Sequence, residues 1–305
     1  MPAPPSRTSL FNAISKATAN TKFGELYDYI VALLGASGNA ADARTALGAT
    51  TLGDALFTAV NAAAARKTVG VPNSGPLSGL RNLIINGDFS VNQRSAVSGA
   101  AVGAANTYTL DRWRVVVSGQ SVSWTASGAG NLVTAPAGGF EQVIEGAAIA
   151  GGTYTINWSG TATCTVAGVA RTNGATFTLT AGTNTTVRFS SGTVGEVQVE
   201  PGEVITGFEK RPPGLERALC QRYYETGRFY AGGYAPGSVA YRAGTSTFQV
   251  TKRVVPTVAV SNVVYGSCSG LNLELVTQNM IGCFVVGIAG NGFNLDFDWT
   301  ASAEL

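Results

Sequence analysis

The chain contains no histidine among its 305 residues. Its absence removes the usual general base near neutral pH and the commonest transition-metal ligand. Ser-His-Asp and Cys-His nucleophilic catalysis are excluded with it. Charge is also scarce: Asp, Glu, Lys and Arg make up 12% of the residues, against roughly 25% in an ordinary soluble chain. The formal net charge is +2, and the densest basic spots, Lys210-Arg211 and Lys252-Arg253, are only pairs. Nucleic acid and anionic membranes require clustered Lys and Arg, so neither is an expected partner. No apolar run approaches the roughly 18 residues that span a bilayer. The opening MPAPPSRTSL lacks a basic n-region and an apolar core, so synthesis is expected in the cytoplasm, without a secretory signal. Cys164, Cys220, Cys268 and Cys283 are widely spaced and form no CxxC, which favours buried free thiols over disulfides or a zinc site. Glycine is abundant, yet GxxxxGK[ST] does not occur, and no cofactor is expected.

What the chain does contain is Gly, Ala, Thr and Val in quantity. A surface so poor in ions must be made of Thr, Ser, Asn and Gly, or be hidden against copies of the same chain, and we favour the second. The length allows two or three domains. The pattern divides them at 1–79, 80–211 and 212–305.

Residues 1–79 read as helical. Leu10, Ile14 and Ala17 fall at helical spacing, as do Phe23, Leu26, Ile30 and Leu33-Leu34, before Gly35 stops the run. Two shorter units, 41–48 and 63–70, repeat one pattern behind the N-cap candidates Asn39 and Asn61. Between them Thr51 and Asp54 predict a capped start for a helix over 54–59. Helices this short do not persist alone in water. Their alanine-rich faces suit stacking about a symmetry axis, with a small monomeric helical domain as the alternative. Val71 to Pro76 reads as a linker.

From about Leu80 to Phe208 the period becomes two. Tyr154, Ile156 and Trp158 alternate with polar residues, as do Phe177 and Leu179, Val187 and Phe189, and Val197 and Val199. Short strands bounded by turn residues predict an antiparallel, jelly-roll-like β-sandwich, with Trp113, Trp124 and Trp158 in its core. Asn86-Gly87 predicts a tight turn in a first hairpin, after which Phe89 and Val91 restart the alternation. Glu196, Glu200 and Glu203 are expected on an exposed strand face and the turn after it. Leu215 to Glu225 is expected to be a short helix docked by Leu219, Cys220 and Tyr223, with Arg217, Arg222 and Glu225 in interchain or surface pairs. The remainder is a β-rich head. Its predicted strands cover 247–252, 254–260, 271–276, a two-sided 284–288, and a final run in which Phe293, Leu295, Phe297 and Trp299 alternate with Asn294, Asp296 and Asp298.

Three peptides carry a resemblance: NLIINGDFSVNQR (82–94), TLDRW (109–113) and GFEKRPPGLERALCQRYY (207–224). Together they resemble the central and C-terminal parts of phage tail fibres, and RVVPT (253–257) is similar to the heads of such fibres. The resemblance implies an elongated homotrimer in the virion tail, attached to other tail proteins through its N-terminal region. Its partner at the other end would be a receptor on the host surface, with a glycan as the expected ligand.

Two groups of residues are candidates for chemistry. Asp296 and Asp298 lie at i and i+2 on one strand face, roughly 6 to 7 Å apart. That spacing overlaps the carboxylate separation of inverting glycosidases and, with Asn294, also suits Ca²⁺ ligation. A solvated acidic face produces the same pair and is favoured. Tyr230, Tyr234 and Tyr241, with Phe229, lie in Gly-rich, loop-like sequence, where an exposed ring can stack on a sugar. The alternative places these rings across the trimer axis or under the short helix. The expected function is therefore non-enzymatic receptor binding by a virion tail fibre. A structural adaptor or decoration protein is the first alternative, and a polysaccharide depolymerase is the more remote one.

Overall fold

The computed structural model describes residues 16–34, 39–70, 80–128 and 130–305. Two compact units divide the chain, Met1–Asn73 and Ser74–Leu305. The chain is mainly β, with antiparallel sheets in the second unit and a short helical region in the first.

The first unit contains α1 (Lys16–Leu34), α2 (Ala40–Ala46), α3 (Thr51–Phe57) and α4 (Ala62–Thr68). Asn39 and Asn61 cap as expected, each side-chain oxygen accepting from a backbone N–H three residues on at 2.8 Å. The middle helix starts earlier than predicted. Its cap is Thr50, whose extended backbone lets Oγ1 accept from Gly53 N at 3.1 Å, and the helix ends at Phe57. Each cap contributes about 1 kcal/mol. Gly48 closes its repeat at φ +87°, a conformation that glycine adopts without the Cβ penalty. Neither α2 nor α3 buries a single residue. On α1, Phe23, Tyr27, Ile30 and Leu34 stay exposed at 4-3-4 spacing, the d-a-d-a interval of a coiled-coil seam. Leu10, Ile14, Gly35 and the 71–76 linker lie outside the described residues.

The second unit opens with a sandwich. Its strands are β1 (Thr107–Tyr108), β2 (Arg114–Val115), β3 (Ser123–Ser127), β4 (Gly130–Ala135), β5 (Phe140–Ile144), β6 (Gly152–Ser159), β7 (Thr163–Val166), β8 (Val169–Arg171), β9 (Thr176–Leu179), β10 (Thr185–Ser190) and β11 (Gly192–Pro201). They form two sheets, β1-β2-β5-β10-β7-β8 and β3-β4-β11-β6-β9, around one core. The predicted alternations hold: Tyr154, Ile156, Trp158, Phe177, Leu179, Val187, Phe189, Val197 and Val199 are all buried. A run of rings crosses the core, with Phe89 to Trp113 at 5.0 Å, Trp113 to Phe189 at 6.1 Å and Phe189 to Trp158 at 5.4 Å between centroids. Trp124 is only partly buried, at the margin.

Two sandwich expectations fail. The segment around Asn86 turns at positive φ but is not a strand of any hairpin. Asparagine side chains replace the ladder there. Asn82 Nδ2 donates to Val197 O, its Oδ1 accepts from Val199 N, and Asn86 Nδ2 donates to Val91 O and Asp111 O. Gly87 is needed because a Cβ would lie 2.3 Å from Val197 O. Glu200 is buried, not exposed, and its carboxylate accepts from Thr206 N and Oγ1 and from Gln198 Nε2.

Next come α5 (Pro213–Gln221) and six strands: β12 (Tyr224–Ala235), β13 (Ala240–Thr247), β14 (Thr257–Gly266), β15 (Cys268–Val276), β16 (Met280–Gly287) and β17 (Asn291–Ser302). The sheets are β12-β17-β14 and β13-β16-β15, and they share a second core. Phe293, Leu295, Phe297 and Trp299 face into it as their alternation predicts. The helix is shorter than predicted and ends at Gln221, since Tyr224 already pairs with Ser302. Its buried face is Glu216 and Cys220, with Leu215 exposed and Leu219 half-buried. Glu216 is tolerated inside because it accepts from Asn86 N and Arg211 Nη1. Residues 248–256 are not strand, and 284–288 is one-sided, with Val285 buried while Val286 and Ile288 are exposed. All four cysteines are free and buried.

Candidate functional site

The peptides 82–94, 109–113 and 207–224 converge on a buried polar joint between sandwich and head. Arg94 and Arg112 both reach the Glu304 carboxylate. Arg94 stacks on the Tyr224 ring at 3.5 Å and Arg112 on the Tyr223 ring at 3.6 Å. Arg112 Nη2 donates to Val143 O at 2.7 Å, while Tyr223 OH donates to Glu145 at 2.6 Å. Trp113 Nε1 donates to Asn86 O at 3.0 Å, tying the second peptide to the first. Of the pairs expected around the helix, Arg222 meets Glu145 at 3.2 Å within the chain, and Glu225 is buried against Lys252 Nζ. Only Arg217 is exposed. Arg94, Arg112 and Glu304 are buried and paired, which makes this part of the joint a fastening between sandwich and head. Beside it a cleft of about 370 Å³ opens, lined by Asn92, Gln93, Lys210, Arg211, Glu216 and Arg217.

The binding candidates lie on the outer face of β12-β17-β14. Tyr230 pairs with Asp296 and Arg228 with Asp298 across the ladder, so all four side chains share one face, opposite the buried stack of Phe229 on Phe297. The sequence put Phe229 and the tyrosines in loops; extended hydrogen bonding through Gly232 and Gly233 makes this segment a strand. Tyr230 is 71% exposed and Tyr234 65%. Gly232 lies between them, and the opposite residue, Asn294, is on the same face. On β14, Val264 opposes Asp296 and is exposed. The face thus offers two rings four residues apart, flanked by a guanidinium, carboxylates and amides.

Tyr241 is not part of that face. It lies in β13 opposite Val285, stacks on Phe293 at 6.5 Å between centroids, and its hydroxyl bonds both Gly237 N and O. Its polar end is satisfied locally and its ring packs against the second core.

Asp296 and Asp298 do share a face, as predicted, but each is engaged. Asp296 accepts from Arg228 Nε at 2.8 Å and from Nη2, and Asp298 accepts from Asn262 Nδ2 at 2.8 Å. The hydrogen bonds from Arg228 hold the Asp296 carboxyl below the usual carboxylate range. A general acid needs the opposite shift. Among the described residues no group of three or more His, Cys, Asp or Glu is arranged to hold a metal ion. No described helix is long and apolar enough to cross a membrane. No protein-family model matches this chain, and neither a curated protein nor a solved structure matches it.

Proposed function

We propose that the protein is a subunit of a virion tail fibre that binds a glycan on the host surface through the outer face of β12-β17-β14. The observation that carries this reading is the pair of exposed rings, Tyr230 and Tyr234, standing beside Arg228, Asp296 and Asn294 on one rigid sheet. Aromatic faces stack on the C–H face of a sugar, while neighbouring polar groups bond its hydroxyls. The chain works as a homotrimer, with the helical N-terminal region on the tail side. The exposed heptad-spaced stripe of α1 and the coreless short helices support association there. Three weak sites on one shaft raise the effective concentration and hold the virion without breaking a bond.

The test is competition. Purified full-length protein should block adsorption of the virions that carry it, and the double variant Tyr230→Ala, Tyr234→Ala should lose the block. A structural adaptor is the second reading, supported by Val264 exposed in the same row as Tyr230, which suits contact with another chain. Failure of the wild-type protein to compete would favour the adaptor.

A further inference from the structure

We propose that the outer face of the β5-β10-β7 sheet is a second binding site, taking an acidic saccharide whose carboxylate pairs with Arg188. It is separate from the tyrosine face and stands without the reading above. A cleft of about 460 Å³ opens there, lined by Ala137, Gly138, Thr165, Thr186, Arg188 and Ser190. Arg188 is central in the ladder, opposite Glu141 on β5 and Thr165 on β7.

Arg188 is engaged at one nitrogen only. Glu141 is buried and accepts twice from Arg114, at 2.9 and 2.6 Å, through one oxygen. Its other oxygen accepts Arg188 Nε at 2.6 Å. Arg114 also donates through Nη1 to Leu305 O at 3.0 Å, whereas Arg188 keeps both terminal nitrogens without a protein partner among the described residues. Its stem lies across Gly139, where a Cβ would come within 2.7 Å of Cδ, so the fork is held in place from two sides. A fixed fork with free terminal N–H groups matches a carboxylate bidentately.

The rest of the lining selects the ligand class. Thr165 and Thr186 are on adjacent strands and the same face, diagonal neighbours about 7 to 8 Å apart, and their hydroxyls have no partner among the described residues. Hydroxyls that both donate and accept suit a polyhydroxylated ring. A single guanidinium is too little for a polyanion such as nucleic acid, which needs many phosphate contacts.

Calorimetric titration of the full-length protein with trigalacturonate, its neutral methyl ester and acetate tests the site. Trigalacturonate should bind, with the ester about tenfold weaker and acetate weaker still. Arg188→Ala should lose about tenfold in affinity and Arg188→Lys an intermediate amount, because an ammonium has no fork. Should Arg188→Ala unfold, Thr186→Val, on the cleft wall, should still weaken binding several-fold. The site is overturned if trigalacturonate fails to bind at millimolar concentration, or binds no better than its ester. It is equally overturned if acetate matches trigalacturonate, meaning an adventitious ion only, or if folded variants at Arg188 and Thr186 bind like wild type.

Discussion

Glu304 accepts a 2.8 Å hydrogen bond from Arg94, a residue 210 positions earlier in the chain. The same carboxylate pairs with Arg112, whose side chain is 1% exposed. Glu304→Ala would leave that guanidinium buried without its counter-charge, and breaking such a pair costs about 3 to 5 kcal/mol. Glu304→Gln keeps the shape and an acceptor, so it should cost less. Urea denaturation of both variants checks the order; equal loss would make packing, not charge, the source.

The tyrosine face should behave in the opposite way. Tyr230, Tyr234 and Arg228 are exposed on a sheet whose other side carries the core. Alanine at any of them should leave the thermal midpoint within a degree or two while abolishing adsorption competition at the tyrosines. A midpoint that fell as far as that of Glu304→Ala would mean the rings are packed in solution, against another copy.

Association is expected to depend on α1. Ile30 is 42% exposed on the stripe that includes Phe23, Tyr27 and Leu34, so Ile30→Glu should disturb the folded chain less than a substitution in either core. On the homotrimer reading, sedimentation should show the wild-type chain as a trimer and Ile30→Glu shifted to lower mass. A variant with unchanged mass would move the self-contact to another surface.

Stability should decline in alkali. Burial pushes the Cys164 thiol up to about 12 and Cys283 to about 11 from the ordinary 9.0. The folded thiols stay protonated at a pH where the unfolded ones ionise. Their contribution is therefore complete below about pH 9 and is lost as pH rises through 11 to 12. Urea midpoints measured from pH 8 to 11 should be flat and then fall, and alkylation at pH 8 should be slow until the protein unfolds. Fast alkylation of the native chain would contradict the burial of these thiols.

Strands with strict alternation were legible in the chain. The runs at 154–158, 187–189 and 293–299 predicted both extended structure and the buried face, because a period of two admits only one sheet-facing set. The segment at 229–241 was misread as loop, since its glycines signal turns locally and only pairing with β17 makes it extended. Tyr230 and Tyr234 were therefore found as exposed rings for the wrong local reason, and Tyr241 was grouped with them although its ring belongs to a core. Glu200 was read as an exposed charge and Glu225 as a member of an interchain or surface pair, and Glu216 drew no reading of its own. Burial of a carboxylate depends on partners distant in sequence, such as Thr206, Asn86 and Lys252, and no local pattern reports them.

The sequence by itself excluded histidine chemistry, set the mainly β character, marked the asparagine caps and fixed which residues of the alternating strands point inward. These follow from residue chemistry and short-range geometry. The tertiary structure alone decided that the peptides 82–94, 109–113 and 207–224 close on one another as a joint, that Arg228 occupies Asp296, and that Arg188 stands with free nitrogens over a polar cleft. Each depends on which strands become neighbours, and that is settled by long-range packing of two cores.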